Sequence, residues 1–184
     1  MRVSREKAAE NRALIVDTAA RLFREHGFDD VGIDVIMRSA GLTHGGFYGH
    51  FASKEDLAGE ALVRSLQRGA ERQSRFTKLT DLVTDYLSDR HRADRANGCA
   101  IAALGSDIAR RSDGIRQGLT AHVRERISRL AELVRGGTAA GRRKRAITTL
   151  AGIVGALILA RAVDDAALSN EILATARNAF GKAK

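Results

Sequence analysis

Between residues 33 and 51 the apolar positions fall into two short helical registers separated by a glycine. Ile33, Ile36, Met37 and Ala40 recur at i, i+3, i+4 and i+7, one stripe of a helix. Gly41 follows the last of them, where a chain can leave a helix through a left-handed residue. Thr43 stands where a side-chain oxygen can cap a following helix, and Phe47 and Phe51, four apart, supply its inner face. Thr43, His44, Gly45, Gly46, Tyr48 and His50 are left outside. A short helix with that outer face fits a major groove about 12 Å wide. The same spacing also suits a tight αα-hairpin inside a bundle.

The flanking pattern extends this into a head over residues 1–55. Residues 12–28 place Ile15, Ala19, Leu22 and Phe23 on one helical face, and His26-Gly27-Phe28 closes it. Ser53 with Asp56 three positions on reads as a capping-box-like start of another helix. Residues 56–184 read as a helical body. The whole chain is expected to be all-α, with about nine helices near 9–26, 33–40, 44–50, 54–75, 77–90, 99–110, 113–135, 139–163 and 167–181. Residues 1–8 read as a basic-leaning arm and Arg90 to Asn97 as a polar connection. The stripes of the body include Leu79, Leu82, Val83 and Tyr86, then Ile101, Leu104 and Ile108, then Leu119, Val123, Ile127, Leu130 and Val134. No proline interrupts any of these helices, so 18 glycines do the punctuation.

The last two predicted helices are apolar nearly all round. Ile147, Leu150, Ala151, Val154, Leu157 and Ile158 fill the first, and Leu168, Ile172, Ala176, Ala179 and Phe180 one side of the second. Such helices need cover on more than one side. Gly152 and Gly155 add flat surface where another helix could approach. Two helices from each of two chains would make a four-helix interface, so a homodimer through about 147–181 is expected. The longest apolar run, Leu150 to Ala160, is short of the ~20 residues of a membrane span, and no signal pattern opens the chain.

The formal charge is +9, but its placement matters more than its size. Residues 1–54 carry eight Lys/Arg against seven Asp/Glu, whereas residues 97–146 carry eleven against four. The basic excess therefore lies outside the predicted reader and is no phosphate-binding footprint. Arg110, Arg111, Arg116, Arg124, Arg126 and Arg129 are expected to form a solvated face, and Arg142-Arg-Lys-Arg145 an exposed loop.

Arg12-Ala-Leu-Ile-Val-Asp-Thr-Ala-Ala-Arg-Leu-Phe-Arg-Glu-His-Gly-Phe28, Ala40-Gly-Leu-Thr43, Gly46-Phe-Tyr-Gly-His-Phe51 and Ser53-Lys-Glu-Asp-Leu57 together resemble the TetR family of transcriptional regulators. The resemblance covers about residues 10–60. It implies a dimeric, ligand-responsive repressor that binds a palindromic operator in double-stranded DNA. It also implies that Tyr48 and Lys54 contact phosphates and that Thr43 and its neighbours sit at the groove. The sequence departs from the family at Gly32, where a hydroxyl residue usually caps the second helix. Gly32 can still cap, and its N–H can still face a phosphate. It departs again at His44-Gly45-Gly46, where two glycines replace side chains that would read bases. His50 is open to two readings, a phosphate ligand or a structural hydrogen-bonder.

A small-molecule effector is expected in the body, between the helices 54–75 and 113–135, with Leu62, Leu66, Tyr86, Cys99, Ala103 and Leu119 as lining. Cys99 reads either as a small buried residue or as a redox or electrophile sensor. A single cysteine fits a reducing cytoplasm. The five histidines show no metal-ligand spacing, and no nucleophile elbow, phosphate loop or carboxylate pair is present, so neither cofactor, metal nor enzymatic activity is expected. The rival readings are a helical adaptor and a sequence-indifferent DNA-binding protein.

Overall fold

The computed structural model describes residues 4–181. The expected arm at 1–8 lies partly outside them. Its described part is not an arm, because Ser4 accepts from the Lys7 N–H and starts α1 at once, over Arg5–His26. α2 is Ile33–Ser39 and is followed by a 3₁₀ helix, His44–Gly49. α3 is Lys54–Ser74, α4 Leu79–Tyr86, α5 Asp89–Ala93 and α6 Ala100–Ile108. α7 is Asp113–Leu133, α8 Ala139–Ala162 and α9 Ala166–Phe180. That makes ten helices among the described residues, one more than the sequence pattern predicts. The extra one is α5, which overlaps the start of the predicted polar connection. Ser88 caps it by accepting from the His91 N–H, a local polar signal that apolar periodicity cannot register.

Two cores organise these elements. The first joins α1, α2, the 3₁₀ helix and the N-terminal half of α3 to Leu104 and Ile108 of α6 and Ile115 of α7. The second gathers α4, the C-terminal half of α7, α8 and α9 around Leu82, Val83, Ile153, Leu157 and Leu173. α7 runs from Ile115 in the first core to Ile127, Leu130 and Leu133 in the second, so the head is held to the body by a continuous helix. Gly41, φ 69°, takes the left-handed turn between α2 and the 3₁₀ helix.

The arginine-rich stretch departs from the expectation of a solvated face. Arg126 is buried, and Arg111 and Arg129 are half-buried. Arg129 donates to the carbonyl oxygens of Ser74 and Phe76. Arg142 and Arg145 lie within α8 rather than in a loop, and donate to the exposed carbonyls of the α7–α8 turn at Arg135, Gly136 and Gly137. Much of the basic excess thus satisfies backbone oxygens at helix ends.

α8 is 24 residues long and, by length and composition, apolar enough to cross a membrane. Its inner face (Ala146, Leu150, Ile153, Leu157, Ala160) packs in the second core, as a core helix of this composition would. Its outer face leaves Ile147, Ile158 and Leu159 exposed, with Leu168 of α9. Gly152 is not a free flat surface: the Phe180 ring of the same chain already lies against it. Gly155 is open.

Candidate nucleic-acid interface

Phe47 anchors the segment from Thr43 to His50. It is fully buried, with its ring 5.7 Å from that of Phe51. Arg12 of α1 lies 4.6 Å above the Phe51 ring and bonds both carboxylate oxygens of Glu60 on α3. That clamp fixes α1, α3 and the aromatic pair as one support. Tyr48 then points outward, 66% exposed, with its ring edge-on to Phe47 at 5.2 Å. Thr43, His44, Gly45 and Gly46 are exposed beside it, and His50 is half-buried. Five of the six predicted outer residues therefore share an open surface.

Three details differ from the sequence reading. The segment 44–49 is a 3₁₀ helix, not an α-helix. Three of its six residues are glycine, which disfavours sustained α-helix, and 3₁₀ geometry suits so short a piece. Thr43 makes no side-chain cap; its carbonyl accepts from the Gly46 N–H at 3.1 Å, leaving the hydroxyl at the surface. Among the described residues the His50 side chain makes no hydrogen bond, and its ring sits 6.4 Å from that of Phe51.

Lys54 opens α3. Ser53 caps that helix by accepting from the Asp56 N–H at 3.1 Å, while Asp56 accepts from the Ala52 N–H at 3.2 Å. The capping exchange expected from the sequence is thus present, shifted by one residue on the return bond. The Lys54 ammonium reaches the carbonyl oxygen of Asp29 at 3.3 Å. Gly32 caps α2 without any side-chain bond, and is exposed. His44 Nε2 stands 3.6 Å from Asp34 Oδ1 on α2.

The body holds a cavity of about 90 Å³ between α3, α4, α6 and α7. Leu66, Tyr86 and Cys99 line it as the sequence suggests. Leu62, Ala103 and Leu119 do not: all three pack in the first core, on the head side. Among the lining residues that escaped the sequence reading are His122 and Arg126 of α7. A signal existed. Ile115, Leu119, His122, Arg126, Leu130 and Leu133 follow three-and-four spacing, so the inner stripe of α7 passes through two polar residues. Burial, and then the Arg126 charge, holds the His122 imidazole down to about 4. The Tyr86 phenol is pushed well above its ordinary range, first by burial.

Residues 15–61 match the sequence profile of bacterial regulatory proteins of the tetR family. Over 59 residues, 32% of the chain, the sequence is 39% identical to the HTH-type transcriptional regulator AcrR of Shigella flexneri. The curated relatives are spanned over 27% to 48% of their own length. In three dimensions the similarity reaches the body. A TetR transcriptional regulator from Chloroflexus aurantiacus is 27% identical, with a TM-score of 0.71 over 94% of this chain and 95% of its own. A TetR-family regulator from Cytophaga hutchinsonii has a TM-score of 0.79 over 98% of this chain and 96% of its own at 19% identity, a likeness of fold alone.

Proposed function

The chain belongs to the TetR family of bacterial transcriptional regulators, and from that premise we propose that it is a sequence-specific DNA-binding regulator, a ligand-responsive repressor that grips a palindromic operator as a dimer. The observation that carries this reading is the surface at Thr43 to Tyr48, open to solvent while buried Phe47 fixes it from behind. Tyr48 and Lys54 serve as phosphate contacts on either side of the groove, and the glycines let the backbone of residues 44–46 come close to base edges. Thr43 and His44 supply the hydrogen-bonding groups. Gly32 leaves the first N–H groups of α2 available to a phosphate, and His50 stands at the margin.

The dimer is supported by the exposed Ile147, Ile158, Leu159 and Leu168 and by the open Gly155. A two-fold pairing there sets two readers about 34–36 Å apart on the duplex. Effector control is supported by α3, which begins at Lys54 in the head and lines the body cavity at Leu66 and Gly69. A ligand that prefers one spacing of the readers shifts the population toward it. The place of action that goes with this reading is the cytoplasm.

Selection of bound sequences from random duplexes tests this. The expected product is a palindrome with half-sites about 10 base pairs apart or a multiple. Lys54→Ala should weaken binding evenly across sequences and lower the salt slope by about one. Binding to all duplexes alike would leave the sequence-indifferent reading, and binding to none the adaptor.

A further inference from the structure

We propose that the body cavity is a receptor for a small aliphatic monocarboxylate, seated side-on against the guanidinium of Arg126 and the hydroxyl of Tyr86. This deepens the effector reading and rests on it only for the consequence at the operator.

Arg126 is 5% exposed and Tyr86 3%. The Nε and Nη2 atoms of Arg126 and the hydroxyl of Tyr86 are buried without a hydrogen-bond partner among the described residues. Buried polar groups in folded proteins are nearly always paired, and an orphan implies a missing partner or a functional role. The neighbouring arginines sharpen the contrast. Arg24 donates to the Ala96 carbonyl and the Ser65 hydroxyl. Arg161 donates to the carbonyls of His91 and Arg92. Arg126 has only a 3.9 Å approach of Nη1 to Cys99 Sγ, and the face of the Tyr86 ring at 5.7 Å.

The acids in the cavity wall do not answer its charge. Asp85 pairs with Arg90 at 2.6 Å, and Asp94 accepts from the backbone and side chain of Asn97. Among the described residues one buried positive charge therefore lacks a counter-ion. The two orphan nitrogens form one edge of the guanidinium plane, with parallel donors that match the two oxygens of a carboxylate. The Tyr86 hydroxyl can supply a third bond. The other cations of the wall are engaged, Arg72 by the Asn97 carbonyl and Arg90 by Asp85, and His122 is neutral near pH 7, which favours a monoanion over phosphate.

The rest of the wall sets the tail. Leu66, Leu82, Ala100 and Ile101 are apolar. A cavity of about 90 Å³ is small beside the roughly 300–1,000 Å³ of sites for drug-sized ligands, which favours a short aliphatic acid over an aromatic acid or a sugar phosphate.

Calorimetric titration and thermal melting of the intact protein, without DNA, test the assignment with propionate and butyrate against propionamide, butyramide and inorganic phosphate. The acids should bind and raise the melting temperature, and the amides should bind about ten- to a hundredfold more weakly, the range of one charge-assisted bond. Arg126→Met should lose the same factor while folding at least as stably, because an unpaired buried charge is removed. Tyr86→Phe, which keeps the ring, should weaken binding less. Arg124→Met, on the exposed side of α7, should leave it unchanged. Equal affinity for acid and amide, no binding of either acid, or binding of phosphate alone would overturn the proposal. Propionate binding by a protein that recognises no duplex would support it and overturn the operator reading. A selected operator bound with no response to any carboxylate would do the reverse.

Discussion

Arg111, just beyond the end of α6, pairs with Asp29 in the turn between α1 and α2. The same guanidinium lies 3.5 Å from Glu55 on α3 and 5.1 Å from the centre of the Phe28 ring. One side chain of the body therefore touches the head at three places, beside the Lys54 that would meet a phosphate. Arg111→Ala should destabilise the protein by about 1 kcal/mol, mostly through the lost aromatic face. Asp29→Asn should do less, since its carboxylate is exposed. The Arg111 bond holds the Asp29 carboxyl below its ordinary value. Its contribution is present above that ordinary value and fades as pH falls through the depressed one. Urea titrations should therefore show Asp29→Asn and the parent converging in acid below about pH 4.

Gly45 stands on the open surface with nothing within 4 Å of an added Cβ and an ordinary backbone angle. Gly45→Ala should leave stability within about 0.5 kcal/mol of the parent. It should nevertheless change which duplexes are bound if, as proposed, the backbone there approaches the bases, where a methyl group would then stand. Duplex selection beside a denaturation curve reads both quantities. An unchanged preference would remove residue 45 from the groove.

Most of the helical framework was legible in the sequence because apolar spacing dictates it. Ile15, Ile36, Met37, Phe47 and Phe51 are buried as their periodicity requires. What stayed hidden was polar. α5 depends on a Ser88 cap, and the 3₁₀ helix on a balance between glycine flexibility and the pull of Phe47 into the core. The cavity was only half legible. Leu62 and Leu119 look like lining residues on a helical wheel, yet they pack in the first core, to which every core residue of α3 belongs and from which α7 passes into the second only beyond Leu119. Arg126 was hidden by a prior: a charged residue inside an arginine-rich stretch is ordinarily solvated.

The contact between Gly152 and Phe180 sets the docking of α9 on α8. A Cβ at residue 152 would stand 2.1 Å from Cζ of the Phe180 ring. Gly152→Ala gains about 1 kcal/mol of helix propensity but forces the ring aside, at about 1–3 kcal/mol. Net destabilisation is expected, and because α9 borders the proposed interface the dimer should weaken with it. Gly155→Ala meets nothing within the chain. It should stabilise the isolated fold while disturbing association if α8 pairs closely there. Sedimentation equilibrium and denaturation together separate the two effects.

His122 gives the fold a pH dependence of definite sign. Burial, reinforced by Arg126 one turn along α7, lowers its folded value from 6.5 to about 4. Between those values the unfolded chain takes up a proton that the folded chain refuses. Stability is therefore complete above about pH 6.5 and is lost progressively as pH falls toward 4. For a group this buried the loss amounts to about 2–3 kcal/mol. His91, whose value burial also lowers, adds a smaller loss in the same direction. His122→Gln, which cannot titrate, should flatten the profile between pH 7 and pH 4.5 without abolishing it. Urea midpoints at those two pH values decide the matter. Parallel profiles for parent and variant would mean that His122 accepts its proton inside the fold, with an anion beside Arg126 to balance it.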